Sequence, residues 1–184
     1  PPLVINCFSP SKTQDFVSSP LSTGLAVIFI FLTSEPASAS VSAKTPTSFT
    51  AENLTATITF EAISNFNANN NGMGISISNS DHSVYSRGQF FYFDETKCDR
   101  STSDLGISLD HTKDCNADNI SALQLQKTGT SLNFYYDLSD DEQGFILIGS
   151  DTRDFGDTYK ISIWYKGSTS SYAVDIDSFI VMGA

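Results

Sequence analysis

The chain is short of charge, and shortest of positive charge. Of its 184 residues 17% are charged, and ten Lys plus Arg stand against 21 Asp plus Glu, a formal net charge of −11. Binding nucleic acid needs a basic patch that displaces counterions from phosphate, and these cations are thinly spread along the sequence, so no nucleic-acid partner is expected. Anionic membrane surfaces are disfavoured for the same reason. Long apolar runs are also missing: Leu25–Leu32 is apolar throughout, but a membrane span needs about 20 such residues. No stretch of helical length carries a 3.6-residue apolar period. Three cysteines occur without a CxxC pair or a nearby pair of histidines, which leaves no zinc signature. The two histidines, His82 and His111, sit in polar stretches with no partner suggested by spacing, and no G-x-S-x-G nucleophile turn is present.

What the sequence does have is alternation. Leu54, Ala56, Ile58 and Phe60 take turns with Thr55, Thr57 and Thr59, and Met73, Ile75 and Ile77 follow the same period. From Leu123 to Val181 such runs recur, separated by Gly, Asn and Asp turns, and they close on Tyr172 to Val181. A period of two is that of half-buried antiparallel strands. About ten short strands and no helix predict an all-β fold of two stacked antiparallel sheets, a sandwich or jelly roll. A chain of this length buries roughly 70% of its unfolded surface, so the core needs no staple, and 14 Phe with seven Tyr supply its bulk.

Cys98 and Cys115 bracket the polar stretch from Asp99 to Asp114, which reads as a long hairpin or excursion. A disulfide between them is expected, contributing about 3 kcal/mol by closing the loop, and it places the protein in an oxidising compartment, secreted or on the cell surface. Cys7 is left over. The chain divides into an N-terminal segment, 1–20, an ambiguous segment, 21–43, and a sandwich domain, 44–184. The ambiguous segment joins Leu25–Leu32 to Ala37-Ser-Ala-Ser-Val-Ser-Ala43. That is an apolar run followed by small residues, as in a signal peptide. The same residues also suit two strands, Leu25 to Thr33 and Ser38 to Ala43, and both readings stand.

The segments LQLQKTGTSLNFYYDLSDDEQGFILIGS and YKISIWYKGSTSSYAVDIDSFIV, with LTATITFEAISN and GMGISISNSD upstream, resemble concanavalin A-like lectin and glucanase jelly rolls from about residue 38 onward. The resemblance implies a sheet face that carries a carbohydrate site; it does not imply an enzyme. Glucanases of that superfamily place their carboxylates as Glu-x-Asp-x-x-Glu on one strand. The pattern is absent here, where Glu61, Glu95 and Glu142 are isolated, so a non-catalytic protein is expected.

Alternation sorts the side chains that point away from the core. They include Lys160 and Trp164 on one strand, Asn133 and Tyr135 on a second, and Gln124 and Gln126 on a third. An aromatic ring can stack on the apolar side of a sugar while amides and charges bond its hydroxyls. Trp164, Tyr135, Gln126, Gln124, Asn133 and Lys160 are therefore expected to form one carbohydrate-binding face, with a glycan or glycoconjugate as partner. The alternative is a structural or adhesive module of a larger surface protein. Calcium is the candidate cofactor, on the same-face pair Asp175 and Asp177 or the acidic turn 137–142, since hard cations take clustered oxygens. No EF-hand spacing is present.

Overall fold

Among the described residues twelve strands follow one another: β1 (Ser40–Lys44), β2 (Asn53–Ser64), β3 (Gly72–Ser78), β4 (Tyr85–Phe93), β5 (Glu95–Thr102), β6 (Gly106–Ile107), β7 (Lys113–Asp114), β8 (Ile120–Thr128), β9 (Ser131–Leu138), β10 (Ile146–Thr152), β11 (Lys160–Lys166) and β12 (Ala173–Gly183). The structure is a computed structural model that describes residues 40–44, 48–64, 71–93, 95–102, 106–107, 113–115, 119–139, 143–166 and 173–183. Every named pairing is antiparallel. One sheet has seven strands in the order β1-β11-β3-β4-β5-β6, with β7 also paired to β5; the other has five, β10-β9-β8-β2-β12. The run Leu25–Leu32 and Cys7 lie outside the described residues. So does most of the excursion between Cys98 and Cys115, although these two cysteines are joined by a disulfide.

The core forms where the alternating apolar residues of the two sheets meet. Met73, Ile75, Ile77, Phe90, Ile161 and Ile163 from the seven-stranded sheet bury against Leu54, Ile58, Leu123, Leu125, Leu132 and Phe134 from the five-stranded one. Local chemistry sets the connections. Gly129, at φ 56°, closes the β8–β9 hairpin in the left-handed region that glycine enters without strain. Gly88 faces inward, where an added Cβ would lie 2.6 Å from Phe134 Cβ, so its lack of a side chain lets the two sheets approach. Beside it the interior turns polar. Arg100, 7% exposed, reaches from β5 to Asp151 on β10 at 3.3 Å, and Arg153 meets the other carboxylate oxygen at 3.1 Å. The ion pair thus bridges the sheets. Strand β12 pairs along β2 with irregularities on either side of Ile176, so Asp177 is an inserted residue rather than a member of an even ladder.

Of the two readings of the stretch between the cysteines, hairpin or excursion, the described residues fit the hairpin. The polar stretch after Cys98 does not begin as an excursion, because β5 continues to Thr102, and β6 and β7 both pair back to it. Its polarity hid the strand: Asp99, Arg100, Ser101 and Thr102 are all buried, so the apolar-in, polar-out pattern that marks a half-exposed strand is missing.

Candidate functional site

A sandwich has two outer faces, and the expected site residues divide between them. Gln124, Gln126, Asn133 and Tyr135 lie on β8 and β9, in the five-stranded sheet, and Gln124 pairs with Tyr135 and Gln126 with Asn133 across the ladder. Trp164 and Lys160 lie on β11, in the seven-stranded sheet. The single face expected to carry Trp164, Tyr135 and Gln126 together is therefore not formed. Period-two alternation tells in from out on each strand, but not which sheet the strand joins.

The five-stranded face satisfies its own polar groups. Gln126 donates to Gln124 at 2.6 Å, Gln124 donates to Thr57 at 3.2 Å, and Ser150 donates to Asn133 at 2.6 Å. A shallow depression of about 570 Å³ runs over Thr57, Gln124, Asp137, Phe145, Ile180 and Met182. Among the described residues the exposed large hydrophobics are Phe145, Leu147 and Met182, at 41%, 39% and 49%. Asp175 and Asp177 are both exposed, and Asp177 accepts a hydrogen bond from Thr59 at 3.1 Å. Among the described residues no three His, Cys, Asp or Glu side chains gather where they could hold a metal ion.

The seven-stranded face is built differently. Register aligns Trp164, Gly74, Gln89 and Asp99 in one row across β11, β3, β4 and β5, and Ser162, Ser76, Arg87 and Ser101 in the next. These rows alternate with rows holding Met73, Ile75, Phe90 and Ile163, which are core residues, so they face outward. The two glycines of β3 make room. A Cβ on Gly72 would lie 2.9 Å from Trp164 Cζ3, and one on Gly74 would lie 3.0 Å from Arg87 Cδ. The indole therefore occupies the space a side chain at position 72 would fill.

Over that indole sits a cation. The Arg87 guanidinium carbon lies 4.5 Å from the Trp164 ring centre and 5.1 Å from that of Tyr85, within the range of cation–π attraction. Its Nη1 donates to Gln89 Oε1 at 3.4 Å, while its Nε is buried with no hydrogen-bond partner. Burial, partly offset by Tyr85, pulls its pKa down to about 10. In the adjoining row Asp99 is 0% exposed. One of its oxygens accepts the Arg100 backbone N–H at 2.6 Å, and Oδ2 has no partner. Burial raises the Asp99 pKa to about 6, against the lowering effect of that hydrogen bond and of the Arg100 charge. Perturbed groups of this kind concentrate at functional sites.

Sequence reasoning found Trp164 and Lys160 on this face but missed Arg87, Gln89, Asp99 and Tyr85. One signal was available: Gly72-Met73-Gly74, two glycines spaced by two within a strand, marks a place where something lies close across the backbone.

No family model and no curated protein sequence matches the chain. By fold it is similar to a functionally unknown protein from Saccharomyces cerevisiae, at 13% identity and a TM-score of 0.59, over 79% of this chain and 73% of that one. It is also similar to lectin II from Ulex europaeus, at 7% identity and a TM-score of 0.60, over 80% and 83%. A third similarity is to the GH43 protein BlXynB from Bacillus licheniformis, at 18% identity and a TM-score of 0.57; it takes in 72% of this chain but 28% of that protein. The chain has the two-sheet fold of the concanavalin A-like jelly rolls.

Proposed function

We propose that the protein binds carbohydrate without cleaving it, as a secreted or cell-surface domain, and that the ligand lies on the outer face of the seven-stranded sheet. The observation that carries this reading is the unsatisfied polarity of that face: Arg87 Nε, whose guanidinium lies against the partly exposed Trp164 and Tyr85, and Asp99 Oδ2 on β5. Leaving such groups unpaired is costly, whereas the amides of the five-stranded face bond one another. Two neighbours by fold are lectins solved with galactose and with GalNAc, which supports a sugar as the ligand class. Absence of catalysis is argued from residues. Glycoside hydrolysis takes two carboxylates across the bond, and the sequence lacks the Glu-x-Asp-x-x-Glu pattern that supplies them in the superfamily's glucanases. The disulfide supports export.

The test is thermal melting of the full chain against soluble glycans, with and without calcium. A ligand present at a hundred times its Kd adds about 2.7 kcal/mol to the folded state. The expected result is a shift with a glycan that Arg87→Ala and Trp164→Ala abolish and Tyr135→Ala and Gln126→Ala preserve. The reverse pattern would move the site to the five-stranded face, and release of sugar product would overturn the non-catalytic part. A shift with calcium alone would turn attention to Asp175 and Asp177. A structural or adhesive module is the second reading, favoured by the exposed Phe145, Leu147 and Met182; no shift with any glycan would leave it standing.

A further inference from the structure

Trp164 does not offer a bare ring. The Gly72 backbone lies beside its six-membered ring, and the Arg87 guanidinium covers a face of the indole. The platform expected for sugar stacking is thus capped by a cation, and the chemistry offered to a ligand is that of a held guanidinium.

No carboxylate among the described residues pairs with Arg87, and its contacts are two aromatic rings and one amide oxygen. A cation withdrawn from water without an anion is costly, and the aromatic quadrupoles offset only part of that. The surrounding charge points the same way. Arg87, Lys97, Lys160 and Lys166 all fall in outward rows of this face, four of the ten Lys and Arg of a chain whose net charge is −11. By the same register three carboxylates, Glu95, Asp99 and Asp114, also fall in outward rows, with Asp114 opposite Lys97. The scarce cations of the protein are therefore concentrated where the unsatisfied groups are.

We propose that the seven-stranded face takes an acidic saccharide, one bearing carboxylate or sulfate groups, with Arg87 receiving the acidic group and Trp164 and Tyr85 holding Arg87 in place. This rests on the carbohydrate reading and narrows it to a ligand class. A guanidinium suits the role because its planar fork matches carboxylate and sulfate oxygens and stays charged even when partly desolvated.

The experiment is isothermal titration of the full chain with three oligosaccharides of equal length: a neutral galacto-oligosaccharide, its galacturonate counterpart and a sulfated galactan fragment. An acidic oligomer is expected to bind at least tenfold more tightly than the neutral one at low salt. The advantage shrinks as salt rises, because screening weakens partly exposed ion pairs. Arg87→Gln removes the advantage of the acidic oligomer over the neutral one. A preference for one acidic oligomer over the other assigns the acidic group. Equal binding of neutral and acidic oligomers overturns this inference while leaving carbohydrate recognition intact; binding of none overturns both. If Arg87→Gln does not fold, the salt dependence of the unmodified chain decides, since an acidic preference that salt does not weaken is not ionic and rejects the role of Arg87.

Discussion

At the scale of single residues Asp99 is the most telling, because its protonation is tied to folding. Burial raises its pKa from 3.8 to about 6 in the folded chain. The folded state therefore holds the proton more tightly than the unfolded state between those values, and linkage makes stability fall as pH rises through that window. Below about pH 4 both states are protonated and the contribution is complete; above about pH 6 it has gone. Asp99→Asn is expected to remove this slope, measured as urea midpoints from pH 4 to 8 beside the unmodified protein. An unchanged slope in the variant would show that Asp99 is not its source.

At the scale of elements, β5 shows both what alternation can reveal and where it stops. Strands β8 and β9 were legible residue by residue: Leu123, Leu125, Leu132, Phe134 and Tyr136 are buried as their spacing predicts, with Gln124, Asn133 and Tyr135 between them less so. Those strands have one wet face, so polarity reports orientation. Strand β5 buries polar residues on both faces, so polarity reports nothing, and with the strand went Asp99. Assigning Trp164 and Tyr135 to one face failed for a different reason, since pairing partners distant in sequence choose the sheet. The cysteine pair was read correctly because spacing alone carried it. The disulfide ties β5 to Cys115, just beyond β7, and its loss is expected to cost about 3 kcal/mol. Melting with and without reductant checks this: a fall of roughly 6–12 °C is expected for a domain of this size, and Cys115→Ser should reproduce it.

At the scale of the whole molecule, the described residues hold the sheets together by apolar packing and, at Asp151, by charge. Asp151 receives Arg100 from the opposite sheet and Arg153 from the segment that follows β10. Burial alone would raise its pKa, but hydrogen bonding and the two guanidinium charges more than reverse this and hold it below 3.8. The sign is opposite to that of Asp99: this contribution is present above the ordinary carboxylate range and is lost as pH falls through the depressed value. Asp151→Ala leaves Arg100 buried without its anion, and a loss of about 3 kcal/mol is expected in urea unfolding at pH 7. A neutral outcome would mean that water replaces the carboxylate without penalty.

The path of β12 bears on how copies of the molecule treat one another. It is eleven residues long and lies last in the strand order of its sheet. Among the described residues no strand pairs with its outer edge, and free backbone groups at a sheet edge are the kind of template on which further chains can assemble into fibrils. The irregularities around Ile176 break the straight ladder that such growth needs, and the exposed carboxylates of Asp175 and Asp177 put like charges opposite one another in any copy that docks there. Replacing both with Val would remove the repulsion, and light scattering at rising protein concentration should then report association that the unmodified chain resists. On this view two aspartates that resemble a ligand pair act as gatekeepers against self-assembly.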